Sequence, residues 1–102
     1  MKVIMMLSDR IEEEIADAKW YARHALKLKS KYRSLADTMY QLSLEEVRHA
    51  QMLHGEATTI INEYRSANGD PPELMMQLYD YVHDRMIASM NEAQTLQQMY
   101  NQ

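Results

Sequence analysis

A carboxylate and an imidazole stand three residues apart in Glu46-Val-Arg-His49, and apolar side chains continue their row at helical spacing in both directions. This spacing puts both groups on one face of a helix. The apolar members of the row are Leu35, Met39, Leu42, Leu53, Ile60 and Tyr64. A carboxylate on a buried face is normally paired, protonated or bound to a metal, because its desolvation is costly. Glu-x-x-His on a core-facing helix is also a ligand unit of di-iron and di-manganese bundles.

A second inward carboxylate is expected on the preceding helix. Glu14 lies on that helix's inner apolar row, whereas Glu12 and Glu45 share rows with polar residues and are expected to face water. We therefore expect Glu14 to meet Glu46 and His49 inside a helical hairpin.

This set of residues has the composition of half a di-metal site. Divalent iron and manganese accept carboxylate and imidazole ligands. A complete bundle site takes one Glu from each of two helices and Glu-x-x-His from each of two others. A symmetric dimer would supply both halves, so we predict a di-iron centre shared across a dimer, with manganese as a possible substitute. The alternatives are a buried polar network without metal and a helix whose phase differs from this interpretation.

The composition predicts an all-α chain of one domain, residues 1–102. Strong helix formers dominate, and only two Gly and two Pro interrupt them. We predict a long antiparallel hairpin over 8–66 and a C-terminal helix over 71–100 that serves oligomer packing. Because one partner helix cannot cover the broad apolar face of the second helix, we expect a second subunit to complete a four-helix bundle.

Capping residues suggest where the helices begin and end. Asp9 with Glu12 resembles a capping box for the first helix, although Ser8 or the apolar residues before it are alternative starts. Ser34 is the expected N-cap of the second helix. Asn68-Gly69 should end it, and Asp70 should cap the third, with proline in the first helical position.

Several classes of protein are disfavoured by the composition. The absence of Cys removes disulfides, zinc fingers and iron–sulfur clusters. A net charge of −4 argues against a nucleic-acid partner. The apolar run Val3–Leu7 is too short for a signal peptide or a membrane span. We therefore expect a soluble chain, compatible with the cytoplasm, that has no membrane partner.

Three other histidines have simpler interpretations. His24 is off the inner row and is expected at the surface. His54 joins the row of Val47 and Ala57 and is expected to pack at an interface rather than bind metal. Asp80-Tyr-Val-His83 imitates the Glu-x-x-His pattern beside the apolar row of the third helix, which makes it a weaker candidate for a second metal site.

The combined pattern resembles the encapsulated ferritins, a family of half-length ferritin-like proteins. That family carries a Glu-Glu pair followed by Trp-Tyr in helix 1 and E-E-x-x-H-A in helix 2. The corresponding residues here are Glu13-Glu14, Trp20-Tyr21 and Glu45-Glu46-Val-Arg-His49-Ala50, followed by Met52-Leu53. The resemblance covers about residues 8–66.

The resemblance implies helix pairs that dimerise around a ferroxidase centre, with the dimers assembling into a ring. It maps iron ligation and oxidation of Fe(II) to Fe(III) onto Glu14, Glu46 and His49. Glu13, Trp20 and Tyr21 would surround these ligands, with Tyr21 positioning a ligand or donating an electron. The remaining alternatives are a non-enzymatic helical assembly protein and a purely structural metal site.

Two positions depart from the family pattern. Ala16 stands where the family has an acidic residue that contributes to iron uptake. The Leu- and Gly-containing tail that directs the family into an encapsulin nanocompartment is not visible in Gln97–Gln102. Delivery into a protein shell is therefore not expected from these residues.

Overall fold

Three long α-helices account for most of residues 2–102, the part of the chain that the computed structural model describes; Met1 of the predicted domain lies outside it. They are α1 (Lys2–Leu28), α2 (Arg33–Asn68) and α3 (Glu73–Tyr100), and no strand occurs in the described range. The bundle measures 56 × 19 × 17 Å. At about 1.5 Å per residue, α2 alone spans this length. The all-α prediction is confirmed.

The first helix begins before the predicted capping box. Ile4 and Leu7 are buried and pack against Ala57, Ile61 and Met75 at one end of the bundle. Burial of two large apolar side chains contributes roughly 3–6 kcal/mol, whereas an N-cap contributes about 1 kcal/mol. The helix therefore includes the preceding apolar residues, the alternative start that the sequence left open, and the capping box lies in mid-helix.

The connections confirm one predicted cap and correct two. Gly69 ends α2 with a positive φ of 79°, and its N–H donates to the Arg65 carbonyl at 2.9 Å. Ser34 lies inside α2, whose N-cap is Tyr32 without a side-chain cap. The N-cap of α3 is Pro72 rather than Asp70. A residue that precedes proline avoids the helical region, so α3 does not begin until the second proline has passed.

α1 packs along α2 and buries one of its rows, whereas α3 packs mainly against α1 and meets α2 at fewer positions. The residues buried on α2 are Ala36, Ser43, Val47, Ala50, Ala57 and Ile61. The predicted inner row is more exposed, reaching 47% at Leu35 and 37% at Tyr64. Within the single chain the row of Val47 and Ala57 is therefore the more deeply buried one, and the row of Glu46 keeps the exposure that a second subunit would cover in the predicted dimer. The small residues Ala50 and Ala57 let α1 approach α2 closely.

The middle of the core joins all three helices. It consists of Ile11, Ile15, Ala18, Val47, Ala50, Met86, Met90 and Ala93. The third helix thus covers part of the face that the sequence assigned to a second subunit. Oligomer packing through α3 stays a prediction. No helix within residues 2–102 is both long and apolar enough to cross a membrane.

Candidate metal centre

The first and second helices bring Glu14, Glu46 and His49 together at the edge of the core. One ligand atom from each residue lies within 4.8 Å of the others. Within residues 2–102 this is the only group of three or more metal-binding side chains that converges in this way. The sequence predicted the same three residues, but placed them inside the hairpin rather than at its edge.

Exposure increases steadily across the three side chains. Glu14 is buried on α1, with 7% of its side chain exposed. The side chain of Glu46 is 18% exposed and that of His49 is 51% exposed. The site is therefore closed on the α1 side and open beyond His49, where an ion or a further ligand can approach.

His49 lies just beyond hydrogen-bond distance of both carboxyl groups. His49 Nδ1 lies 3.6 Å from Glu14 Oε2 and 3.7 Å from Glu46 Oε1. Both distances exceed the usual hydrogen-bond length. Neighbouring ligands of an octahedral ion at about 2.1 Å stand roughly 3 Å apart. Small side-chain rotations would bring the three donors to that spacing, so the donor set fits a divalent metal.

Near neutral pH the carboxyl groups of Glu14 and Glu46 together carry fewer than two negative charges. Burial, followed by the hydrogen bond and the charge of Glu14, raises the pKa of Glu46 to about 7. The hydrogen bond from Glu46 lowers the pKa of Glu14, and Arg10 lowers it further while burial opposes them. The pair therefore shares a proton near neutral pH, with Glu14 as the ionised member. A divalent cation would take the place of that proton.

Arg10 contacts the site but was missed in the sequence. Its Nη2 lies 2.8 Å from Glu14 Oε1, and its Nη1 donates to Glu13 Oε2 at 2.9 Å. The available signal was the spacing of four residues between Arg10 and Glu14, which makes them neighbours on a helix. In the metal-free chain this guanidinium balances the buried Glu14 charge. It would have to give up one carboxylate oxygen to a metal.

The residues predicted to surround the ligands differ in exposure, since Glu13 and Trp20 are exposed on α1 whereas Tyr21 is half-buried. Glu13 is exposed and paired with Arg10. Trp20 is 49% exposed, stacks on His24 with 4.0 Å between ring centres, and meets Tyr21 edge-on at 5.4 Å. Neither aromatic side chain makes a hydrogen bond to the three ligands within residues 2–102. Their part in a metal site stays a prediction.

Two of the remaining histidines meet between α2 and α3. The ring centres of His54 and His83 are 5.0 Å apart, and Tyr79 lies beside both. Asp80 is exposed and does not join them in a group of three. The third histidine, His24, is half-buried rather than fully exposed, and its Nδ1 donates to the Trp20 carbonyl at 2.8 Å.

The fold and the site define a helical bundle with one carboxylate-rich cluster that could hold a metal. Comparisons of the chain with protein-family models, curated proteins and solved structures give no match. The resemblance to encapsulated ferritins therefore depends on the motif residues alone and stays a prediction.

Proposed function

We propose that this chain is a ferritin-like iron protein in which two subunits share a di-iron ferroxidase centre. The observation that carries the proposal is the convergence of Glu14, Glu46 and His49 within 4.8 Å of one another. Two carboxylates and an imidazole match the ligand preference of iron and manganese. Because Glu14 and Glu46 share one proton, the second carboxyl group of the pair is free to ionise when a cation binds.

A second copy of the chain is the proposed source of the missing ligands. One Glu and one Glu-x-x-His are half of the bundle set, and a two-fold axis beside His49 would bring the other half. The row of α2 that carries Glu46 also leaves large apolar side chains accessible. Leu35 and Tyr64 on this row are 47% and 37% exposed, and neighbouring Met52 is 60% exposed. Burying them against a partner would favour association.

In this proposal Fe(II) is the substrate, and the chain's own residues bind and orient it. Glu14 and Glu46 would bridge the two ions, while each His49 completes one coordination sphere. Each of two Fe(II) ions loses one electron. One dioxygen accepts both electrons and two protons to give hydrogen peroxide, and peroxide is the alternative oxidant. Glu46 would release its proton when the cation binds.

Metal counting and sizing test the shared site. The full chain, purified without chelator, should bind about one iron per chain and elute as a dimer or larger species when Fe(II) is added anaerobically. A stoichiometry near two would place a complete site in each chain and contradict the sharing. Absence of bound metal would contradict the proposal as a whole.

Aerobic oxidation of Fe(II) then tests turnover. The wild type should form Fe(III) at a rate well above the buffer background, and Glu46→Ala should lose this rate. Glu45→Ala is the matched control, because Glu45 is the adjacent carboxylate and is exposed. Metal binding without accelerated oxidation would instead support a structural metal site.

A non-enzymatic helical assembly protein is the second candidate. The approach of His49 to Glu14 and Glu46 favours it, since a protonated imidazole could balance the carboxyl pair without a metal. This alternative predicts an oligomer whose size and stability do not respond to Fe(II). The same sizing experiment separates it from the iron protein.

A further inference from the structure

We propose that His54 and His83 form a second metal site, distinct from the carboxylate cluster, which takes a late divalent transition metal such as zinc and ties α3 to α2. The ring centres are 5.0 Å apart and the ring planes are inclined by 38°. Two imidazoles bound to one tetrahedral ion at about 2.1 Å have ring centres roughly 5 Å apart. The observed separation of the ring centres is close to this value.

The neighbouring polar groups hold the two rings in place. Tyr79 OH lies 3.4 Å from His54 Nε2 and 3.3 Å from Thr58 Oγ1, and its ring stacks on His83 at 6.0 Å between centres. The phenol oxygen can therefore orient the His54 ring through its hydrogen bond to Nε2. His54 is also kept neutral, the form that binds metals, because burial and then His83 lower its pKa.

The donor set indicates a different metal from that of the carboxylate cluster. Imidazole nitrogen suits zinc, copper, nickel and iron, and the pair lacks the carboxylate that manganese prefers, since Asp80, one turn before His83, is exposed and outside the pair. His54 also lies on another face of α2 from His49. His54 follows His49 by five residues, and five residues turn a helix by about 140° beyond one full revolution. Each site can therefore be removed without touching the other.

Zinc titration of the full chain in a Glu14→Gln, Glu46→Gln background tests the proposal. This background removes both carboxylates of the first site, so failure of the iron proposal does not affect the result. We expect about one Zn²⁺ per chain by calorimetry and a higher Tm with zinc. His83→Gln should weaken binding at least about tenfold, and Tyr79→Phe should weaken it less. His24→Gln is the matched control and should bind as the parent does.

Nuclear magnetic resonance of the imidazole nitrogens provides a readout that needs no substitution at the pair. Zinc should shift the ring signals of His54 and His83 and leave those of His24 in place. Absence of zinc binding in the Glu14→Gln, Glu46→Gln protein would overturn the proposal. So would unchanged affinity in a folded His83→Gln variant, or zinc-induced shifts confined to other histidines.

Discussion

Ser43 and Glu46 lie one helical turn apart on α2, and both direct polar atoms towards α1, but their surroundings differ. Ser43 Oγ donates to the Ala18 carbonyl at 2.7 Å and accepts from Gln97 Nε2 at 2.8 Å. This chain of hydrogen bonds joins all three helices and contains no ionisable group. Glu46 instead faces Glu14, so two acidic groups compete for one proton.

The difference distinguishes a structural polar group from a binding one. A buried polar group that finds all its partners within the fold fixes the packing and needs nothing from outside. Two carboxyl groups in contact are satisfied only by a proton or a cation. Among residues 2–102 no buried side-chain nitrogen or oxygen lacks a hydrogen-bond partner. Positive charge would therefore stabilise Glu14 and Glu46 together, and a divalent metal supplies it.

The largest expected difference between the two regions is in metal affinity. Glu14→Gln should weaken binding of Mn²⁺, a probe that avoids oxidation, by about 100-fold or more, because it removes a charged ligand from the centre. Ser43→Ala should leave the affinity unchanged. Calorimetric titration of both purified variants checks this. Equal loss in the two would mean that packing, rather than ligation, controls binding.

The free energy of unfolding should depend on Ser43, whose substitution leaves the metal affinity unchanged. Ser43→Ala removes the group that Gln97 and the Ala18 carbonyl both use, and should lower the free energy of unfolding by about 1–3 kcal/mol. Ser66→Ala, at an exposed position on the same helix, should change it by less than about 0.5 kcal/mol. Urea unfolding followed by circular dichroism measures both. Similar values for the two variants would contradict a structural role for Ser43.

The sequence predicted the carboxylate cluster better than it predicted its surroundings. Helical period alone selected Glu14, Glu46 and His49, because burial on a helix repeats regularly. Which of the two apolar rows of α2 is the more deeply buried depends on how the other helices dock, a tertiary outcome without a local signal. The pairing of Ser43 with Gln97, 54 residues away, became visible only in the folded chain. Arg10 was missed because an exposed arginine is ordinary in sequence.

The shared proton should give the metal-free chain a distinctive pH dependence. The pKa of Glu46 is about 7 in the folded chain, above its ordinary 4.5. The folded chain therefore keeps a proton that the unfolded chain has lost, and this contribution is complete below pH 4.5 and lost as pH rises through about 7. The glutamine side chain of Glu46→Gln cannot ionise. At pH 8 this variant should be more stable than the wild type by about 1–3 kcal/mol.

Chemical denaturation at about pH 4.5, 6, 7 and 8, with chelator present, measures this effect. The advantage of Glu46→Gln should shrink towards the acid end, since at pH 4.5 Glu46 is protonated in the folded chain and about half protonated in the unfolded chain. Glu14 makes the free energy of unfolding change with pH in the opposite direction, because its pKa is lowered and its stabilising effect is lost as pH falls. The amide introduced by Glu46→Gln still offers Glu14 a hydrogen-bond donor, so the variant keeps this effect. Glu45→Gln is the control and should follow the wild type. An advantage that does not vary with pH would rule out the shared proton.

The smallest expected effect concerns Arg10, the internal cation of the site. Its guanidinium holds Glu14 Oε1 at 2.8 Å and would compete with an incoming metal for that oxygen. Arg10→Gln should therefore raise Mn²⁺ affinity, but only a few-fold, because an ion pair with an exposed partner is weak. Arg85→Gln, which removes a comparable pair with Glu12 at 3.4 Å, should leave the affinity unchanged. Weaker binding in Arg10→Gln would instead mean that the arginine orients Glu14 for the metal.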